Sequence, residues 1–359
     1  MKILFDHQIF SYQRHGGASK YFCELLRYLP REMWITSTVY SNNVYLETYK
    51  LFPHKNILSN LYFKGQGRIM FELGRINSIN TLKKGEFDIF HQTHYEPYCL
   101  DSIGNKPMVI NFHDSNFSTY NKNEKIIKFQ KKTFARANKI IVISNNTKND
   151  LLNIFDISED KTRLIYLGVD RVDIKSLQPE RLVQGNYILY VGARDGNKNW
   201  NNFVKVYNKI KKKYSHLKLV CTGKYFSVKE INFIKMNNLQ DGIIHISATE
   251  EQMNRLYRDA ELFVFPSYYE GFGMPLLEAM ACNCPVVCSN TSCFPEVAGD
   301  AAYYFDPHSE NDMFDVISKV LNSKETREEL RKNGIKRAEL FSWEKCAEEH
   351  IKLYKDLYN

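Results

Sequence analysis

Two glutamates, Glu270 and Glu278, flank a short string, Gly271-Phe272-Gly273-Met274-Pro275, with seven residues between them. The apolar run just before, Leu262–Phe265, reads as a buried parallel strand. The glycines let the backbone come close to a ligand, and Pro275 suits the first turn of a helix, where a missing N–H costs nothing. A helix that starts here offers free N–H groups and the positive end of its dipole to a phosphate or to sugar hydroxyls. Glu270 would lie in the loop at the strand's carboxyl end, where ligands bind in open α/β sheets. Glu278 would lie about one turn into the helix, where a carboxylate can accept two hydrogen bonds from a vicinal diol such as ribose. Spacing alone also fits a plain strand–turn–helix with two ordinary glutamates.

Three other strings carry polar groups at the ends of apolar runs. In Arg14-His15-Gly16-Gly17-Ala18-Ser19-Lys20 a glycine pair opens a helix, so backbone N–H groups can approach an anion. An ordinary loop explains the pair equally well, and the chain lacks the GxGxxG dinucleotide fingerprint. Asn111-Phe112-His113-Asp114 closes one apolar run, and His91-Gln92-Thr93-His94 closes the one before it. A single histidine in such a place is as readily a satisfied structural residue as a catalyst. Tyr190-Val191-Gly192-Ala193-Arg194-Asp195-Gly196-Asn197-Lys198-Asn199 follows a further apolar run.

Strand-like runs alternating with helical patterns position these residues, as in parallel α/β architecture. Strands are expected over 2–6, 87–91, 108–112, 139–143 and 163–166, then over 187–191, 217–221, 243–246, 262–265, 285–288 and 302–305. Helices are expected over 18–29, 123–137 and 147–155, and a charged segment with helical spacing runs from Trp343 to Tyr358. Two such series predict two Rossmann-like domains, residues 1–172 and 186–342, joined by a polar linker over 173–185. A chain of 359 residues has the length for two cores.

Composition narrows the class. The chain is 43% hydrophobic and 25% charged, and no apolar stretch approaches the roughly 20 residues needed to span a bilayer. The N-terminus begins as a strand rather than as a signal peptide, so a cytoplasmic location is expected. Of the net charge of +8, residues 1–180 hold a surplus of seven (25 Lys/Arg against 18 Asp/Glu). Charge alone would allow a nucleic acid partner, but neither an RNP motif nor a zinc-finger spacing is present, so none is expected. Cys282, Cys284, Cys288 and Cys293 do not form separated metal knuckles and read as small buried thiols.

The whole string around Glu270 and Glu278 closely resembles the signature of retaining glycosyltransferases of family 4, whose fold is GT-B. The resemblance implies two Rossmann-like domains with parallel sheets facing across a cleft, acceptor on the first and nucleotide-sugar on the second. It also implies that the last helix, 343–359, crosses back to the first domain. Glu270 is then expected to contact the donor sugar, the backbone of Gly271, Phe272, Gly273, Met274 and Pro275 to hold its hydroxyls, and Glu278 to bind the ribose. Gly16 and Gly17 resemble the family's glycine loop, which faces donor diphosphate and acceptor. Lys198 stands where the family carries a diphosphate-binding lysine, whose charge would stabilise the leaving phosphate. The family pattern has Arg directly after the glycine; here Ala193 takes that place and Arg194 follows one residue later. His113-Asp114 matches a pair whose imidazole reaches the donor sugar, so Glu270, His113 and Lys198 are the expected catalytic residues. His91 and His94 would border the acceptor, and residues 292–300 resemble a mainly structural segment that follows the signature.

The activity so implied is transfer of a hexosyl group from a nucleoside-diphosphate sugar, GDP-mannose ahead of a UDP-sugar, with the anomeric configuration retained. The acceptor is a hydroxyl of a glycan or lipid-linked glycan in polysaccharide or lipopolysaccharide assembly. No metal and no cofactor besides the donor are expected. Two alternatives stay open: a GT-B sugar-nucleotide epimerase, and a non-catalytic sugar-nucleotide-binding partner of a transferase. Lys125, Lys128, Lys132, Arg136 and Lys139 recur at three- or four-residue steps, a solvated face or a contact with an anionic membrane.

Overall fold

The structure is a computed structural model that describes residues 1–56, 65–116, 123–194 and 196–359. The chain divides into two compact units, one of Met1–Gly168 with Trp343–Asn359 and one of Val169–Ser342. Residues 173–185 lie within the second unit. There Arg255 donates to Gln178 and to the Glu180 carbonyl, and Arg181 donates to the Asp259 carbonyl.

The first unit holds β1 (Ile3–Phe5), β2 (Trp34–Thr36), β3 (Ile89–Gln92), β4 (Met108–Phe112), β5 (Lys139–Val142) and β6 (Thr162–Leu164). They form one sheet in the order β2-β1-β3-β4-β5-β6, with each pairing parallel. The second unit holds β7 (Tyr187–Tyr190), β8 (Lys218–Cys221), β9 (Ile243–His245), β10 (Leu262–Phe265), β11 (Val286–Ser289) and β12 (Tyr303–Phe305). Its order is β12-β11-β10-β7-β8-β9, again parallel throughout. Central strands such as β4 and β10 are buried at every residue, because helices cover both faces of a parallel sheet. In each sheet the winding reverses once, between β1 and β3 in the first and between β7 and β10 in the second. Outside the carboxyl ends of such a pair the loops diverge and leave a crevice.

β2 had no counterpart in the sequence reading. It has only three residues, too few for a periodic pattern, and its first, Trp34, is buried with the Arg31 guanidinium 4.2 Å from its ring. Asn283 takes a left-handed φ of 60° just past the helix Met274–Ala281, the turn that asparagine tolerates next best after glycine. All eight cysteines are buried, and burial pushes Cys284 up to about 12.

The final helix, Trp343–Tyr358, buries Trp343, Cys346, Ala347, His350, Leu353 and Tyr354 at steps of three and four, and it packs on the helix Gly17–Tyr28 and on β3. A directed chain of hydrogen bonds ties it down. His350 Nδ1 lies 2.7 Å from the Cys346 carbonyl, which can only accept, so Nδ1 carries the proton and Nε2 accepts from Tyr21 Oη at 2.6 Å. Tyr21 Oη accepts from Asn111 Nδ2 at 2.9 Å. Asn111 Oδ1 accepts from His91 Nε2, and His91 Nδ1 accepts from Tyr354 Oη, both at 2.6 Å. His91, expected at the edge of the acceptor site, is instead fully buried in this chain.

Candidate active site

The second unit brings Lys198 and Glu270 together although 72 residues separate them. Lys198 ends a short 3-10 turn after β7, and Glu270 lies in the loop after β10, so both stand at the carboxyl ends of the strands where the winding reverses. Lys198 Nζ donates to Glu270 Oε1 at 2.5 Å, with the two side chains 24% and 14% exposed. A cation and a carboxylate so close, and still open to solvent, form a dipole that a phosphate and a hydroxyl can each engage.

The two loops are stitched together by neighbours. Asn197 Nδ2 donates to the Tyr269 carbonyl at 2.6 Å, and Tyr268 N donates to the Asn197 carbonyl at 2.8 Å. Ser292 Oγ donates to the Glu270 carbonyl at 2.5 Å and accepts from Glu270 N at 3.2 Å, while Cys293 Sγ donates to the same carbonyl. Ser292 itself sits at a φ of 58°. Sequence reading missed both Asn197 and Ser292 as positioning residues. Their only signal was adjacency to Lys198 and membership of the segment after the signature.

Gly273 caps the helix Met274–Ala281 with φ at 81°, and a Cβ there would press on Phe294 and Leu276, so the turn needs glycine. Pro275 occupies the first turn, Phe272 packs against Phe341, Gly271 is buried, and Met274 is half-buried. Glu278 is half-buried one turn on, and Tyr257 Oη donates to its Oε2 at 3.4 Å. Burial, then the Glu278 charge, holds the Tyr257 phenol well above its ordinary range, so it stays a donor.

Arg194 is turned inward. Its Nε donates to Glu230 at 2.6 Å, and its two terminal nitrogens donate to the carbonyls of Thr222, Lys224 and Tyr225. The guanidinium lies 4.7 Å from the Phe226 ring, and the side chain is 3% exposed. It therefore braces the loop after β8. Asp195, beside it, lies outside the described residues.

The other expected residues are in the first unit. Gly16 caps the helix Gly17–Tyr28; a Cβ on it would come within 2.5 Å of Gln13 Oε1, which accepts from Ser19 N. Gly17 has open space where a side chain would be. His113 stands one residue past β4, with the Tyr21 and Phe22 rings 5.2 Å and 5.9 Å away. Its buried Nε2 has no hydrogen-bond partner among the described residues. Burial first and His94 second lower its pKa to about 3, so the imidazole is neutral at physiological pH. Of the basic stripe, Lys125, Lys128 and Lys132 are exposed on the helix Glu124–Arg136. Arg136 instead donates to the carbonyls of Gly104 and Lys106, and Lys139 begins β5 and donates to the Asp160 carbonyl.

Two units, each a doubly wound parallel sheet of six strands between helices, define the GT-B class of architecture. Residues 15–172 match the family described as Glycosyltransferase Family 4, and residues 174–337 match Glycosyl transferases group 1. The chain belongs to this family of retaining glycosyltransferases. It is similar to the O-antigen chain mannosyltransferase B of Escherichia coli, at 28% identity over 74% of each chain. It is also similar to the MMP alpha-(1->4)-mannosyltransferase of Mycolicibacterium hassiacum, at 27% identity over 64% of this chain and 56% of that protein. Among solved structures, Anabaena HepE in complex with UDP-glucose matches 99% of this chain and 100% of its own with a TM-score of 0.80 at 15% identity. Sucrose-phosphate synthase from Thermosynechococcus elongatus matches 100% and 99% with a TM-score of 0.75 at 19% identity. At such identities the likeness concerns the fold. Among the described residues, no helix is long and apolar enough to cross a membrane.

Proposed function

We propose that this chain transfers a hexosyl group, with mannosyl ahead of other hexosyls, from a nucleoside-diphosphate sugar to a hydroxyl of a glycan or lipid-linked glycan during polysaccharide assembly. The observation that carries the reading is the Lys198–Glu270 pair at the winding reversal of the second sheet. Mannosyl is favoured because the relatives from Escherichia coli and Mycolicibacterium hassiacum carry that activity in their names.

In this reading Lys198 takes the donor diphosphate and Glu270 accepts a hydroxyl of the donor sugar. The ribose diol lies against Glu278, and the turn around Gly273 meets the sugar with backbone N–H groups. The bond from the anomeric carbon to the phosphate oxygen breaks as the bond to the acceptor oxygen forms on the same face. The acceptor proton passes to the departing phosphate. Charge grows on that phosphate, so a fixed cation beside it stabilises the transition state more than the ground state. His113, neutral and with a buried ring nitrogen to spare, serves the donor sugar as a hydrogen-bonding group rather than as a charge. Arg194 acts only through the loop it braces.

Lys198 fills the role that a divalent cation fills elsewhere. Activity with a nucleoside-diphosphate hexose is therefore expected to survive excess EDTA unchanged, and activity restored only by added manganese would contradict this. Lys125, Lys128 and Lys132 would add contact with an anionic membrane, each contributing about 1 kcal/mol near such a surface. Changing all three to Glu is expected to abolish sedimentation with phosphatidylserine vesicles; undiminished sedimentation would remove the membrane from this account.

A further inference from the structure

The winding of the first sheet reverses between β1 and β3, and open α/β sheets take ligands outside the carboxyl ends of the strands at such a reversal. Two aromatic rings stand there. Tyr12 ends the short helix Gln8–Tyr12 that follows β1, and His94 lies two residues past β3. Their ring centroids are 4.9 Å apart with planes 34° apart, and Tyr12 is 56% exposed.

An exposed tyrosine by itself needs no explanation. The buried structure beneath it does. Asp6, fully buried at the end of β1, accepts from Thr93 N at 2.8 Å, Thr93 Oγ1 at 2.5 Å, Gln8 Nε2 at 2.8 Å and Tyr98 Oη at 2.9 Å. Ile9 N donates to Thr93 Oγ1, and the Gln8 amide exchanges hydrogen bonds with the backbone of Glu96. Burying a carboxylate costs several kcal/mol unless donors surround it, and here four donors do. The carboxylate and its donors lock the loop after β1 to the loop after β3, and so hold the Tyr12 ring on His94.

We propose that Tyr12, backed by His94, is the stacking platform for a neutral pyranose ring of the acceptor glycan, an inference that rests on the transferase reading above. A phenol ring offers a flat apolar face, matching the C–H face of a pyranose, and a hydroxyl at its rim. Burial lowers His94 to about 4 against the opposing pull of Asp6, so the platform carries no charge at neutral pH and favours a neutral ring over an anionic one. Glu96, two residues beyond His94, is partly exposed and lies 3.7 Å from Arg75 Nη1, while Arg75 pairs more closely with Glu72 at 2.7 Å.

The test is saturation-transfer difference NMR on the full chain, with a nucleoside diphosphate present and four probes: the methyl α-glycosides of mannose, glucose, galactose and N-acetylglucosamine. At least one is expected to receive saturation mainly on the protons of one ring face. Tyr12→Ala is expected to weaken its binding about three- to tenfold, the range of one aromatic contact, while Tyr12→Phe keeps it. Calorimetric affinity for the nucleoside diphosphate is expected to be equal in all three proteins, and equal thermal melts of the first unit, which carries Tyr12, check that the variants fold. Equal glycoside signals from Tyr12→Ala and the unaltered protein, or no signal from any probe while the nucleoside diphosphate binds, would overturn the platform alone. Failure of the unaltered protein to bind any nucleoside diphosphate would overturn the donor reading and the platform with it.

Discussion

Replacing Lys198 with alanine is expected to lower kcat about a hundred- to a thousandfold, the usual loss when one preorganised charge-stabilising group leaves an active site. The cation sits 2.5 Å from Glu270 and is carried by a turn that Asn197 fastens to the Tyr269 carbonyl. Arg194, next in line by sequence, is committed to Glu230 and three carbonyls. Stability should change little. Partly exposed ion pairs contribute about 1 kcal/mol or less, which for a unit of this size is roughly 2–4 °C in Tm. Steady-state kinetics beside a thermal melt separates the two effects. A kcat within threefold of the unaltered enzyme would remove Lys198 from the chemistry.

Acid should unfold the first unit well before the second. His7, His91 and His350 are fully buried, and burial lowers them to about 4, about 3 and about 4. In the unfolded chain each titrates near ~6.5. The folded state therefore demands the neutral form. Its stability is complete above that pH and is lost as pH falls from there toward the folded values. Between those limits each histidine removes up to ~1.4 kcal/mol per pH unit. Three together lose several kcal/mol by about pH 5, a large part of the ~5–15 kcal/mol that holds a typical domain. The second unit's His216, His245 and His308 all keep contact with solvent. Protonating His350 Nε2 sets it against the Tyr21 hydroxyl that now donates to it, so the final helix should loosen early. Hydrogen exchange between pH 7 and 4.5, corrected for intrinsic rates, should show protection lost first in Trp343–Tyr358, β3 and β4. Simultaneous loss in β7, β8 and β10 would contradict the assignment.

The strands of the second unit were legible because each is a short apolar run closed by a polar or glycine turn. Leu262–Phe265 and the final helix Trp343–Tyr358 have the predicted limits. Glu270 was legible as a candidate from its place after an apolar strand, whereas Lys198 was legible only as a member of a family pattern. What brings them together is hydrogen bonding from Asn197 and Ser292 to backbone carbonyls, and such bonds leave no periodicity in the sequence. Arg194 entered as a donor-binding candidate only through the family pattern, whose arginine stands one position earlier, at Ala193. Its true partners are carbonyls of a loop near thirty residues on, which sequence spacing does not reveal. His91 was placed at a site edge by its position at a strand end, yet the returning final helix covers it with Tyr354. Tyr12 attracted no notice at all, since an aromatic residue in an apolar-rich stretch gives no sign of which way it faces.

The account turns on a donor held between Lys198 and the two glutamates. Isothermal titration calorimetry of the intact chain with GDP-mannose, UDP-glucose, UDP-galactose and UDP-N-acetylglucosamine tests it most directly. Saturable heat is expected with at least one of them, weakened tenfold or more, about 1.4 kcal/mol, when Glu270 and Glu278 are both changed to Gln. No heat with any of the four, or an affinity untouched by the double change, would contradict it.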